Sequence, residues 1–399
     1  MPRSRWLLGC YAAIIRKLMT FGMFLHRIPQ PRPLVPSFYK DIPTTDPSYL
    51  GTIRLHFYTP RYYFKRTQAQ RYPLVVNFHG GGFVLGKGTD DARWVSALVH
   101  RVDVLCVSVD YRLAPEHPFP KAVEDGTDAV LYLVKNADKF GIDVNKVATT
   151  GFSAGGNMAF TVPLRLRQRL EQGAAPSLDR VPSLSEESEM LMNDTSAPAV
   201  HSSSNLLKET ETVAPDFQVL AAVAWYPRVT MTIPRNELRK MNVRPDKHLP
   251  PFLCNLFDEA YLHPPDLDLT DPLLSPANAP GDTLRELPDN IIIYSCEYDM
   301  LCTEADAFTS RLKALEPTGK RLKRIPKFVS SSVGYLTVGL LEERRYELIR
   351  GASLHEAFRI AEATKLQTQR LQPQEGLDAV EWFNRIRRAV MNHETRTVI

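Results

Sequence analysis

Lys146-Val147-Ala148-Thr149-Thr150-Gly151-Phe152-Ser153-Ala154-Gly155 is the stretch from which the rest of the chain can be read. Its first half is a short β-rich run, and residues 155–170 carry a helical pattern. A strand that feeds straight into a helix leaves the residue at the junction on a tight turn. That residue's side chain projects at the edge of a sheet, on a strained backbone. Glycines flank it because a Cβ at 151 or 155 would meet the neighbouring strand and helix. The helix N-terminus behind the turn favours negative charge developing beside it. A Gly-x-Ser-x-Gly alone is a weak signal. Its seat between strand and helix is what gives Ser153 weight.

Outward from that turn, short β-rich runs alternate with longer helical patterns, the signature of an α/β fold. Strands are expected at 52–58, 74–78, 104–110, 146–150, 218–224 and 290–296. Continuous apolar runs such as Leu74-Val75-Val76 and Ile291-Ile292-Ile293 suit parallel strands covered on both faces. Helices are expected at 91–101, 121–139, 155–170 and 303–315, with two more at 354–368 and 376–391. Two stretches stand apart. Residues 174–215 are rich in serine and acids, and no aromatic lies between Phe160 and Phe217, so a disordered surface insertion is expected there. Residues 327–350 follow the strand-like run 321–325 and read as either an extra hairpin or an insertion.

The 399 residues carry a formal net charge of +4. Arg3, Arg5, Arg16, Lys17, Arg27, Arg32 and Lys40 all precede the first acid, Asp41, so the remainder of the chain is slightly acidic. The positive surplus is an arm, and no basic body exists to grip nucleic acid. Cys10, Cys106, Cys254, Cys296 and Cys302 are an odd, scattered set. They argue against a disulfide framework and a structural zinc site, and for a reducing, cytoplasmic setting. Residues 6–25 resemble a short signal or membrane segment, but Arg16-Lys17 interrupts them and no small-residue cleavage site follows. An amphipathic helix is expected, packed on the domain or lying at a membrane surface.

A serine nucleophile needs donors for the charge that builds on its substrate, a base, and an acid to orient the base. His79-Gly80-Gly81-Gly82-Phe83 ends the strand at 74–78, and consecutive glycines let backbone N–H groups point to one spot. A phosphate loop would need Ser or Thr at Gly88, and a dinucleotide fingerprint would need glycine at Leu85, so both rivals fail by one residue. Only His355 and His393 lie beyond the strand at 290–296. His393 sits in a polar tail, whereas Ser353-Leu354-His355-Glu356 reads as a capping box that starts a helix after a loop. Glu297 and Asp299 both follow the apolar strand closely enough to reach a histidine. Asp306 reads as a helix-surface charge.

His79-Gly-Gly-Gly-Phe83, the run from Tyr111 to Pro120, Gly151-Phe-Ser-Ala-Gly-Gly156, Asp271-Pro-Leu-Leu-Ser-Pro276 and Glu297-Tyr-Asp-Met-Leu301 together resemble the hormone-sensitive-lipase-like branch of the α/β-hydrolases. The likeness covers roughly residues 50–390. It implies an α/β-hydrolase fold, a mostly parallel central sheet with helices on both faces and an N-terminal helical cap. Residues 1–45 would be the cap or arm and 46–395 the hydrolase domain. It further implies Ser153 as nucleophile, Asp299 as the acid, and the N–H groups of Gly81, Gly82 and Ala154 as the oxyanion hole. With His355 as base, the expected activity is a serine carboxylic-ester hydrolase working through an acyl-enzyme on small to medium apolar esters. A non-catalytic small-molecule binder on the same fold, and an amide or lactone hydrolase, are the alternatives.

No metal or organic cofactor is implied, and the expected partners are a small-molecule ester and, through the basic N-terminal arm, a membrane surface. The resemblance has departures. His355-Glu-Ala-Phe358 stands where the family has His-Gly-Phe, the span from Asp299 to His355 is longer than usual, and Phe152 replaces a common acid. In the family, segment 111–120 braces the loop under the site, and Arg112 and Glu116 carry no chemistry. Replacing 178–210 by a short Gly-Ser bridge should leave the melting temperature nearly unchanged, because loop length costs little. Limited proteolysis of the parent should cut first within 174–215, and a large fall in melting temperature on deletion would show that the stretch is part of the core.

Overall fold

The computed structural model describes residues 3–29, 32–45, 50–171, 217–241, 249–295 and 299–315, together with the strand backbone of 329–333 and 336–339. The chain opens with helix α1 (Arg5–Arg27), then strands β1 (Phe38–Pro43), β2 (Thr52–Tyr58) and β3 (Tyr72–Phe78). Next come α2 (Ala92–Arg101), β4 (Leu105–Asp110), α3 (Lys121–Lys135), α4 (Ala137–Phe140), β5 (Ile142–Phe152) and α5 (Ala154–Glu171). After β6 (Val219–Trp225) follow α6 (Arg235–Met241), α7 (Pro251–Tyr261), α8 (Gly281–Arg285), β7 (Asn290–Ser295) and α9 (Cys302–Ala314). Strands β8 (Val329–Val333) and β9 (Leu336–Gly339) complete the described elements.

The strands form one sheet in the order β1-β2-β4-β3-β5-β6-β7-β8-β9. Pairing is parallel from β4 through β8 and antiparallel at the two edges. Each strand expected from the sequence is found within a few residues. The expected helix at 121–139 is broken at Asn136, and α4 stops at Gly141, whose φ of +63° suits a residue without a Cβ. Strand β1 was not anticipated and lies within the stretch assigned to the arm. Tyr39, Lys40 and Asp41 are exposed in succession, so it carries no apolar run to announce it. The hairpin alternative for 327–350 matches β8 and β9, which pair antiparallel. The stretch 174–215, the run 321–325, and the helices expected at 354–368 and 376–391 lie outside the described residues.

Alternation along the strands divides the core. Ala221, Val223 and Trp225 of β6, with Ile292 and Tyr294 of β7, share one face with Val95 and Val99 of α2. Ala222, Ala224, Ile291 and Ile293 turn to the other face, against Phe160 of α5 and Phe308 of α9. Helices α3 and α5 are further clamped by a buried ion network. Arg169 reaches Asp128 at 2.6 Å and also Glu124, while Arg165 meets Glu124 at 2.7 Å. These contacts fix α5, and with it the turn that precedes it.

Phe160 and Phe308 are both fully buried and meet edge to face at 5.3 Å. Truncating Phe160→Ala should cost about 3–5 kcal/mol, which chemical denaturation would read as a fall in midpoint. A change below about 1 kcal/mol would mean that the α5–α9 layer repacks around the loss.

Candidate active site

The C-terminal ends of neighbouring β3 and β5 meet where the sequence places the glycine-rich loop and the serine turn. Phe78 pairs with Gly151 across the sheet. A Cβ on Gly155 would overlap the Phe78 carbonyl oxygen, and one on Gly151 would overlap the backbone of Gly155. Three backbones therefore touch at a spot that admits no side chain. Ser153 sits on the junction with φ +54°, a left-handed value that is costly for a residue with a Cβ. It is held there by its neighbours. Its N–H donates to Trp225 O at 2.8 Å, and its carbonyl accepts from Asn157 N–H at 3.0 Å and Arg228 N–H at 3.4 Å.

Beyond β3 the loop from Gly80 to Gly86 folds on itself. Gly81 and Gly82 have φ of +118° and +61°. A Cβ on Gly81 would strike the Leu85 carbonyl, and one on Gly82 would enter the Phe257 ring. The Gly81 carbonyl accepts from the N–H groups of Val84 and Leu85 at 3.1 and 2.9 Å. The N–H groups of Gly81, Gly82 and Ala154 donate to no acceptor among the described residues. Three unclaimed donors thus stand on two adjacent loops, one of them opening helix α5, where the dipole adds to their pull on an anion.

Segment 111–120 braces this loop from below. Tyr111 Oη donates to His79 O at 2.8 Å, its ring stacks on the His79 imidazole at 4.1 Å, and Ala114 N–H donates to Phe83 O at 2.9 Å. His79 is buried, which lowers its pKa and keeps it neutral, and its Nδ1–H donates to Gly80 O at 2.8 Å. Arg112 is spent on buried Asp125 at 2.6 Å, and Glu116 on Arg16 of α1 at 2.9 Å. Arg16, Met19 and Thr20 of α1 close a cavity of about 250 Å³ with His79, Gly86 and Tyr111; Ser153 is not among its lining residues.

Asp299 follows β7, two strands along from β5 on the same edge of the sheet. Its Oδ1 accepts from Leu301 N–H at 3.1 Å. Burial pushes its pKa up, while the Leu301 N–H and the Arg235 guanidinium pull it back. The alternative acid Glu297 lies outside the described residues, as do both candidate bases, His355 and His393. Asp306 is exposed and accepts from Ser295 Oγ at 2.8 Å.

Residues that no sequence motif marks tie the serine turn toward the acid loop. Asn157 Nδ2 donates to Arg228 O at 2.8 Å and Leu274 O at 2.9 Å, drawing the Asp271–Pro276 motif against α5. Arg228 Nη1 meets buried Glu304 at 2.7 Å, and the other Glu304 oxygen accepts from Val229 N–H at 2.7 Å. Burial pushes Glu304 up to about 6. Asn157 stands four residues after Ser153, a helical step that could have marked it; its partners, far along the chain, could not.

Three comparisons place these features among known proteins. The profile of a family described as having the alpha/beta hydrolase fold matches residues 75–325. The esterase LipI of Mycobacterium tuberculosis is 43% identical over 100 residues, 24% of this chain and 30% of that protein. Carboxylesterase 20 of Arabidopsis thaliana is 35% identical over 144 residues, 34% of this chain and 43% of its own. The chain thus spans under half the length of either relative. A crystal structure of an esterase from Pyrobaculum calidifontis superposes with a TM-score of 0.58 at 26% identity, covering 82% of this chain and 87% of that one.

Glu304 gives a pH test of the Arg228 tie. A carboxyl whose folded pKa is raised contributes most below its unfolded pKa, about 4.3, and loses that contribution as the pH rises through about 6. The stability of the parent relative to the Glu304→Gln variant should therefore fall by roughly 2 kcal/mol between about pH 4 and pH 7.5. Denaturant midpoints of both proteins across that range check it; a pH-independent difference would mean that Glu304 does not titrate in the fold.

Proposed function

This chain belongs to the alpha/beta hydrolase fold family, in its hormone-sensitive-lipase-like branch, and from that premise we propose that it is a serine carboxylic-ester hydrolase working through an acyl-enzyme. The observation that carries the proposal is the pairing of a strained, partly exposed Ser153 with three N–H groups that have no acceptor among the described residues. Backbone donors left without an acceptor on the two loops that flank a strained serine suit an oxygen that carries charge only during reaction.

In this reading Ser153 Oγ attacks the ester carbonyl carbon while His355 takes its proton. Gly81, Gly82 and Ala154 N–H groups hold the resulting oxyanion. The carbon–oxygen bond to the alcohol then breaks, and His355 returns the proton to the leaving oxygen. Water repeats the sequence on the acyl-enzyme and frees the acid and Ser153. Asp299 orients the imidazole and stabilises its cation. Burial raises the Asp299 pKa, and the Leu301 N–H and the Arg235 charge act against that rise. Small to medium apolar esters are the proposed substrates, with Phe257, packed against Gly82, as one apolar wall.

A fluorophosphonate probe should label Ser153 and no other serine. Ser153→Ala should lose nitrophenyl-ester turnover by roughly four or more orders of magnitude while keeping the parent's melting curve. His355→Ala should fall to about the same level, the double variant should be no worse, and His393→Ala should stay within a few-fold of the parent. Parent turnover should rise with pH through a group near neutrality, since the base must be neutral to accept a proton. A parent that neither takes the label nor turns over esters overturns the hydrolase reading. Full activity in His355→Ala with loss in His393→Ala moves the base to the tail.

A further inference from the structure

Helix α1 is fastened to the domain along one side only. Leu8 and Ala12 are buried on that side, and four arginines bolt it down. Arg3 pairs with Glu259 at 3.0 Å, and Arg5 donates to the carbonyls of Ala260 and Pro115. Arg16, at mid-helix, reaches Val84 O, Ala114 O and Glu116 at 2.7–2.9 Å, and Arg27 reaches Thr89 at 2.8 Å. The opposite side is apolar and open to solvent. Trp6, Leu18 and Phe21 are 77%, 66% and 62% exposed, and Ile14, Leu25 and Ile28 join them. At about 100° per residue these side chains, with Tyr11, span an arc of roughly 140°. Lys17 falls inside that arc, exposed.

We propose that this outer face of α1 seats on an anionic lipid surface, with the helix axis in the membrane plane. The inference is independent of the hydrolase reading. Three features on the page select this occupant. The arc is wider than the narrow two-position seam through which a helix pairs with a second helix. It carries aromatic as well as aliphatic side chains, and rings of that kind settle at the boundary between headgroups and acyl chains. The charge is complementary too: no acid occurs before Asp41, the arginines facing the domain are occupied by it, and Lys17 is left pointing outward. The helix is long and apolar enough to cross a bilayer. Its mid-helix ties through Arg16 hold it along the domain surface instead, which is an in-plane geometry.

The test is sedimentation of the full chain with vesicles of phosphatidylcholine, with and without phosphatidylserine. The parent should bind the anionic vesicles, more weakly as salt rises. A Leu18→Glu, Phe21→Glu double variant should bind at least tenfold more weakly while keeping the parent's melting curve. Lys17→Glu, which removes no apolar surface, should weaken binding to the anionic vesicles alone. Three results would overturn the proposal: a parent that does not bind, a double variant that binds as well as the parent, or a concentration-dependent dimer abolished by the same double substitution. The last would assign the face to a second copy of the chain.

Discussion

The carbonyl oxygen of Phe78 lies where any side chain on Gly155 would have to go. That single contact, backbone against backbone between the end of β3 and the first turn of α5, sets the rest of the site. It lets the glycine-rich loop and the serine turn come together without an intervening side chain. It also forces Ser153 to complete the turn with a left-handed backbone, since the strand before and the helix after are both fixed. The cost is met by packing elsewhere. The α3–α5 ion network, the Asn157 amide and the Trp225 carbonyl each hold one of the segments that would otherwise relax the turn.

The departure at Phe152 has a physical reason in the fold. Its ring stacks on Trp225 at 5.5 Å, Trp225 stacks on Tyr294 at 4.0 Å, and Trp94 of α2 closes the group edge to face. The stack runs across β5, β6 and β7 on the face that α2 shares. A carboxylate at 152 would stand against the rings of Trp94, Trp225 and Tyr226 with little to pair it, whereas a phenyl ring completes the layer. Trp225 is at once a member of this stack and, through its carbonyl, the acceptor for Ser153 N–H. Packing behind the sheet and geometry at the nucleophile are thereby joined in one residue.

Legibility in the sequence followed the range of each interaction. Strand β2 shows at its true bounds through alternating burial, and the apolar runs of β3 and β7 show within two residues because burial on both faces leaves a local mark. The serine turn was equally plain, since glycine, serine and glycine must be adjacent for the backbone reason given above. Strand β1 went unseen because an edge strand needs few apolar residues. Arg228 and Glu304 carried no signal at all. Their significance lies in pairings across 71 and 76 positions of chain, and charge or polarity at one position says nothing about its partner at another. The acid was narrowed to two neighbours by position and to Asp299 only by resemblance, because a carboxylate's reach depends on loop geometry that composition does not encode.

Among the described residues the tryptophans divide along the same lines, into two optical environments. Trp94 and Trp225 lie 6.1 Å apart in the aromatic stack, one residue removed in sequence from Ser153 through Phe152. Their emission is set by rings and backbone that a new covalent group on the serine would disturb. Trp6 is far from them in environment, a lone indole standing in solvent near the start of α1. An acylation event and a change of phase at the N-terminal helix therefore fall on different chromophores. The first would be read from a stacked pair, the second from an exposed ring whose spectrum moves to the blue as water leaves it.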